Sequence, residues 1–355
     1  MRRLLQHLRI RPYAIVGAHF IEPCAERVTA HLRCAEYESA DALMAQVAAE
    51  DLDPLLWRLV DGHKVGEHAV RWVNAVPESS HAHLLLGFSE IARAWNIRGE
   101  YAYEDIPRAR RRKFPKVMER GYQHLFELSE RDRGCAMAFA GMIHCSRVIG
   151  IGQESRKQWL DHVMEVVPFH VPTLLNYAHT TQARWGGSEQ EMVEFALWVS
   201  EHAPAGHLAH VVMANAILEL AFSLTEHPAD VVRLRRQLGG HELAGWMRQA
   251  LLSWLNVGPD QLHQRLKSFD VQTDVGFARV ALERFALASY FAGAMEESRM
   301  LFMTLKGRIS RDPWEQFSFQ GSRMDSWTGM DKAYMGVTHD RICRDLGLDL
   351  KKLCW

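Results

Sequence analysis

Along most of the chain, apolar residues recur at the three- and four-residue intervals of an amphipathic helix, and alternating strand-like runs are scarce. The clearest case is 188–202. Ser188 and Glu191 form an S-x-x-E capping box, Met192, Phe195, Ala196 and Val199 fall at i, i+3, i+4 and i+7, and Pro204 stops the run. A second helix begins the same way at Ser155 with Gln158, carries Trp159, Leu160, Val163, Met164 and Val167, and ends at Pro168. The fold class this predicts is all-α.

The two terminating prolines lie 36 residues apart, and the offset recurs in Ile149-Gly150 against Trp185-Gly186, Trp159 against Phe195, and Val163 against Val199. Two helical hairpins in tandem account for it: 135–148 with 155–167, then 172–185 with 188–202. A two-helix period in the mid thirties is that of a tetratricopeptide solenoid, in which each hairpin buries its apolar face on its neighbours. A third copy runs through 207–223, a break at Glu226-His227-Pro228, and 229–238. Further on, Phe277, Val280, Ala281, Phe285 and Ala288 lead into Tyr290-Phe291-Ala292-Gly293 and a helix over 296–306. The expected architecture is a right-handed α-solenoid of tetratricopeptide-like hairpins with irregular N- and C-terminal caps.

Upstream, 40–49, 53–60 and 65–76 read as shorter helices punctuated by Pro54, Gly62 and Pro77, and 83–97 as a longer one. Gly99, Pro107 and Pro115 predict an irregular excursion over 98–115, with a helix resuming at 116–131. The aromatic, turn-rich stretch after Asp312 reads as a cap. The division this gives is an N-terminal helical cap (1–80), a repeat array (81–310) and a C-terminal aromatic-rich cap (311–355).

Charge changes little in this picture. Lys and Arg total 42 against 43 Asp and Glu, a net charge of −1, which supplies no general field for nucleic acid or an acidic membrane. Basic residues at the start are not followed by the apolar run of a secretory signal, and the uncharged stretch 203–218 is broken by Pro204, Gly206, His207, His210 and Asn215, so no membrane anchor is expected. The six cysteines (24/34, 135/145, 343/354) lack C-x-x-C spacing; two positions ten apart on one helix are ~15 Å apart, beyond disulfide reach. Free thiols in the cytoplasm are the expectation.

The run from Trp72 to Gly87, then Ala94-Trp95-Asn96-Ile97-Arg98-Gly99 and Tyr101-Ala102, and later Arg184-Trp185-Gly186-Gly187-Ser188, is similar to an uncharacterised bacterial family, a domain of unknown function with tetratricopeptide-like helices. The resemblance covers about 55–305. It implies an all-helical fold, a bacterial source and no established activity. Glu100 stands where such families have a second glycine, which would change the loop.

Candidate binding residues follow from position and chemistry. Trp95, Arg98 and Tyr101 sit at a helix end; Arg98 would either cap loop carbonyls and stack on an aromatic ring, or present its planar fork to a carboxylate or phosphate. Thr173, Asn176, Thr180 and Arg184, at i, i+3, i+7 and i+11, form a polar stripe on the first helix of a hairpin, either a plain solvent face or the concave face of the array. His144 and Arg147, one period earlier, would extend it. The basic run Arg108, Arg110, Arg111, Arg112, Lys113 and Lys116 is flanked by Glu104, Asp105 and Glu119 and has few aromatic neighbours, so a solvated or docking face is favoured over nucleic acid.

No phosphate loop, dinucleotide fingerprint or nucleophile elbow is present in the sequence. The function expected is a non-enzymatic scaffold that holds a protein partner in a concave groove, as an adaptor, inhibitor or immunity protein, without cofactor or metal. The alternative is a metal-dependent hydrolase using His207, His210 or His339 with Asp340, since His207 and His210 are spaced i, i+3.

Overall fold

A computed structural model describes residues 15–16, 22–62, 64–99, 105–224, 230–269, 277–310, 313–314 and 329–353. Helices make up nearly all of it, as the 3.6-residue periodicity requires. Among the described residues the β content is one two-residue parallel pairing, β1 (Ile15–Val16) with β2 (Arg308–Ile309), in which Ile15 faces Arg308. No described helix is long and apolar enough to cross a membrane. The chain forms two units, Ile21–Ala196 and Met1–Phe20 with Leu197–Trp355.

The first unit contains α1 (Glu22–Arg33), α2 (Tyr37–Met44), α3 (Ala49–Val60), α4 (Val65–Ala75), α5 (Ser80–Arg98), α6 (Arg108–Arg131), α7 (Ala136–Ile149), α8 (Gln153–Val166) and α9 (Val171–Thr180), a 3-10 turn at Ala183–Trp185, and the start of α10 (Glu189–His202). Its centre is α7, apolar on nearly every face and buried from Ala136 to Ile143. It packs against α5, α6, α8 and α9. The α5/α6 pair approaches closely: a Cβ on Gly121 would lie 3.0 Å from the Gly87 carbonyl oxygen. Only glycine lets the two backbones meet there.

Helices α8 and α10 keep the 36-residue offset at both ends, 153 to 189 and 166 to 202. Other boundaries differ from the sequence expectation. Helix α6 begins at Arg108 and runs through Pro115, and α3 runs through Pro54. Each proline sits near the second turn, where it removes one backbone hydrogen bond, and the adjoining apolar residues Phe114, Val117, Leu55 and Leu56 are buried. Burial outweighs the lost bond. Helix α1 has no counterpart in the sequence reading, although Ala25, Val28 and Leu32 are a buried i, i+3, i+7 stripe behind a first-turn proline.

The second unit continues α10 and contains a 3-10 turn at Leu208–His210, α11 (Val211–Ser223), α12 (Val231–Leu238), α13 (His241–Leu255), a 3-10 turn at Pro259–Gln261, α14 (Leu262–Lys267), α15 (Phe277–Ala292), α16 (Met295–Leu305), α17 (Gly329–Asp345) and α18 (Leu350–Leu353). Here α15 is the central helix, packed by α11, α12, α13 and α16. Trp254 of α13 stacks on Phe285 of α15 at 4.9 Å. The turn between α15 and α16 forms at Gly293, φ +85°, as its sequence predicts. The break at 226–228 lies outside the described residues, as does most of the stretch 311–328. Helix α17, within the expected irregular cap, is tied down by Asp345, which accepts from the Tyr290 hydroxyl at 2.9 Å and pairs with Arg235 at 3.1 Å.

Inside α15, Glu283 is fully buried. One carboxylate oxygen accepts from the Ser310 backbone N–H (2.8 Å), the Ser310 hydroxyl (2.9 Å) and the Trp314 indole (3.1 Å), and buried Arg279 lies 3.5 Å from the other. Burial pushes its carboxyl up to about 7, against the pull of these donors and of Arg279.

Candidate binding groove

Six of the nine sequence-selected residues meet on one face of the first unit. His144, on α7, is the hub. The Trp95 indole N–H, from the last turn of α5, points at His144 Nε2 at 2.8 Å. An indole nitrogen can only donate, so Nε2 accepts, and a neutral imidazole then carries its proton on Nδ1, 3.2 Å from the Asn176 side-chain oxygen of α9. Arg147 Nη2 lies 3.0 Å from the same Nδ1. Burial first, and the Arg147 charge second, hold His144 well below the usual histidine range, with the Asn176 bond opposing them. His144 is only partly exposed, and both ring nitrogens have neighbours within hydrogen-bond distance.

Around this hub lie cations and tryptophans. Arg98 donates to the Gly99 carbonyl at 2.9 Å and sits 5.8 Å above the Trp95 ring. Arg147 lies 5.5 Å above Trp185, and Trp57 of α3 brings its ring 5.6 Å from His144. Arg184, on the 3-10 turn, donates to Gln182 at 2.7 Å. Burial, and then the charge of Arg184, lower the pKa of Arg98, so two guanidiniums stand close enough to oppose one another. The Trp185 indole N–H and the Gln182 amide nitrogen are buried and reach no acceptor among the described residues. Among the described residues the face presents guanidinium, indole and amide donors.

Two selected residues lie apart from this cluster. Thr173 is buried against His170 at 2.8 Å, and Thr180 is buried with its hydroxyl bonded back to the Tyr177 carbonyl at 2.7 Å. Helix α9 ends at Thr180, so Arg184 joins the cluster from a separate turn and the polar stripe is shorter than its spacing predicts. Tyr101 lies outside the described residues. Trp57 and Trp185 were missed as site residues. Their one signal was an aromatic ring at a helix or turn position, which fits a core role equally well.

The basic run occupies the first two turns of α6, with Arg108, Arg112, Lys113 and Lys116 exposed and Arg111 bonded to the Ile106 carbonyl at 3.3 Å. His207 accepts from the Ala209 N–H at 3.1 Å, and His210 bonds the Pro204 carbonyl at 3.1 Å. His339 is buried, 3.2 Å from Asp340 and close to Cys343. No group of three or more His, Cys, Asp or Glu side chains among the described residues is placed to hold a metal ion. Ser79, Asp41 and His81 touch, but Ser79 donates to Asp41 rather than to His81, and its oxygen caps α5 through the Ala82 N–H at 3.1 Å. That order serves the helix end, not a nucleophile.

Residues 25–153 match the family described as Domain of unknown function (DUF4034). No curated protein matches the chain. The domain of unknown function spans α1 to α7 and so contains Trp57, Trp95, Arg98, His144 and Arg147, whereas Asn176, Arg184 and Trp185 follow it. The match takes in the 72–102 part of the sequence resemblance to an uncharacterised family, and the 184–188 part lies beyond it.

Proposed function

We propose that the chain is a non-enzymatic, tetratricopeptide-like binding scaffold whose groove takes an acidic segment of a protein partner. The observation that carries this reading is the convergence of Arg98, Arg147 and Arg184 with Trp57, Trp95 and Trp185 about a neutral, internally bonded His144. Carboxylates of the partner would meet the guanidiniums and the buried Trp185 and Gln182 donors, and its apolar side chains would lie on the indole faces. The 36-residue offset kept by α8 and α10 supports a right-handed solenoid of stacked hairpins. A bacterial source and a cytoplasmic setting remain expectations of the sequence.

Display selection from a random peptide library on the full chain tests the reading. Enriched peptides should carry paired acidic residues beside an aromatic or aliphatic one, lose about tenfold or more in affinity on Arg98→Glu or Arg147→Glu, and weaken as salt rises. Selected peptides indifferent to both reversals and to salt would overturn it.

A further inference from the structure

A second concavity lies wholly in the other unit, between the end of α10, the 203–210 segment, α11 and α13. It is a half-open hollow of about 360 Å³ lined by Leu197, Ser200, Glu201, His210, Met213 and Trp246, among others. Its wall is fixed: the Gly206 N–H donates to the Ser253 carbonyl of α13 at 2.7 Å, and Gly206 holds φ +84°, a conformation other residues adopt with strain.

Two of its polar atoms are buried without a hydrogen-bond partner among the described residues. His210 is 1% exposed, and its Nε2 faces the Pro204 carbonyl at 3.1 Å. A carbonyl can only accept, so Nε2 carries the proton and Nδ1 of the neutral ring is an acceptor. That Nδ1 is buried and reaches no donor among the described residues, and neither does the buried Ser200 hydroxyl. Leaving such atoms unmade is costly. Glu201 adds a carboxylate at the rim, and the half-buried Trp246 ring adds a flat apolar face of negative quadrupole. Every one of these features accepts a hydrogen bond or attracts positive charge. The groove of the first unit has the opposite character.

We propose that this cavity binds a small organic ammonium ion, a primary amine on an apolar body. The ammonium donates to His210 Nδ1 and the Ser200 hydroxyl and faces the Glu201 carboxylate, and the body lies against Trp246, Met213 and Leu197. The volume exceeds the ~150 Å³ that holds a benzene ring in an engineered cavity, leaving room for a ring with a two-carbon arm. The inference is independent of the groove and its partner.

The test uses phenethylamine, charged at neutral pH, and its uncharged counterpart 2-phenylethanol, each titrated calorimetrically into the full chain. Phenethylamine should saturate one site with a Kd on the order of 1 mM, and the alcohol should bind about fivefold or more weakly. Glu201→Gln should bring the amine down to the affinity of the alcohol, and Ala205→Phe, at an exposed position on the cavity mouth, should remove binding, both with an unchanged thermal melt. Absence of saturation by about 20 mM, equal affinity for amine and alcohol, or binding untouched by both variants would each overturn the proposal.

Discussion

Leu125 of α6 is fully buried with glycines on two sides of it, and this makes the crossing of α5, α6 and α7 testable. A Cβ placed on Gly87 of α5 would lie 2.7 Å from both Cγ and Cδ2 of Leu125, and one on Gly141 of α7 would lie 2.4 Å from its Cδ1. Contacts so short force a side chain or backbone to move, and overpacking of this kind costs about 1–3 kcal/mol. Alanine in a helix recovers about 1 kcal/mol over glycine, so Gly87→Ala should be destabilising by a net ~0–2 kcal/mol. Leu125→Ala alone, a buried truncation, should cost about 2–5 kcal/mol. In the double variant the new methyl group enters space the leucine has vacated. The loss in the double variant should then fall short of the sum of the single losses by about 1–3 kcal/mol, beyond the ~0.5 kcal/mol scatter of independent sites. Urea denaturation followed by far-ultraviolet circular dichroism measures the cycle at constant slope. Additive effects, or a Gly87→Ala variant more stable than the parent, would show that the helices are not held at this distance. The consequence for the groove is direct, because Trp95 and Arg98 lie on α5 two to three turns beyond Gly87.

Two further predictions concern protons. Glu283 binds its proton more tightly in the folded chain, where its carboxyl is raised to about 7 from 4.5, so its stabilisation is complete below pH 4.5 and is lost as the pH rises through 7. The shift corresponds to about 3 kcal/mol between those limits, and the difference in stability between the parent and Glu283→Gln should change by that amount across the window; a constant difference would refute the buried-carboxylate account. His144, held neutral by burial and by Arg147, should titrate well below the ordinary histidine value in its imidazole proton resonances, whereas titration near 6.5 would contradict the Trp95–His144–Asn176 chain. Its stabilisation is present above the unfolded histidine value and is lost only as the pH falls below it.

Periodicity and terminators gave the all-helical class, the 36-residue offset of α8 and α10 and the Gly293 turn, while position and side-chain chemistry gave a set of candidate residues of which six converge. Those features are local. A capping box, an i, i+3, i+7 stripe or a helix-ending proline acts within a turn or two of itself, so it is written in neighbouring residues. The helices running through Pro54 and Pro115, the fate of Thr173 and Thr180, and the recruitment of Trp57 and Trp185 depended on what lay across the core. One lost backbone bond is outweighed by buried neighbours such as Phe114 and Leu55, and a threonine hydroxyl on a polar stripe can turn back to its own helix when its face is covered. The same holds for chemistry. The sequence supplies a histidine, but its proton is placed by an indole 49 positions earlier and an amide 32 positions later. Spacing along the chain carries no information about such pairings; only the folding of distant helices onto α7 brings them within hydrogen-bond reach.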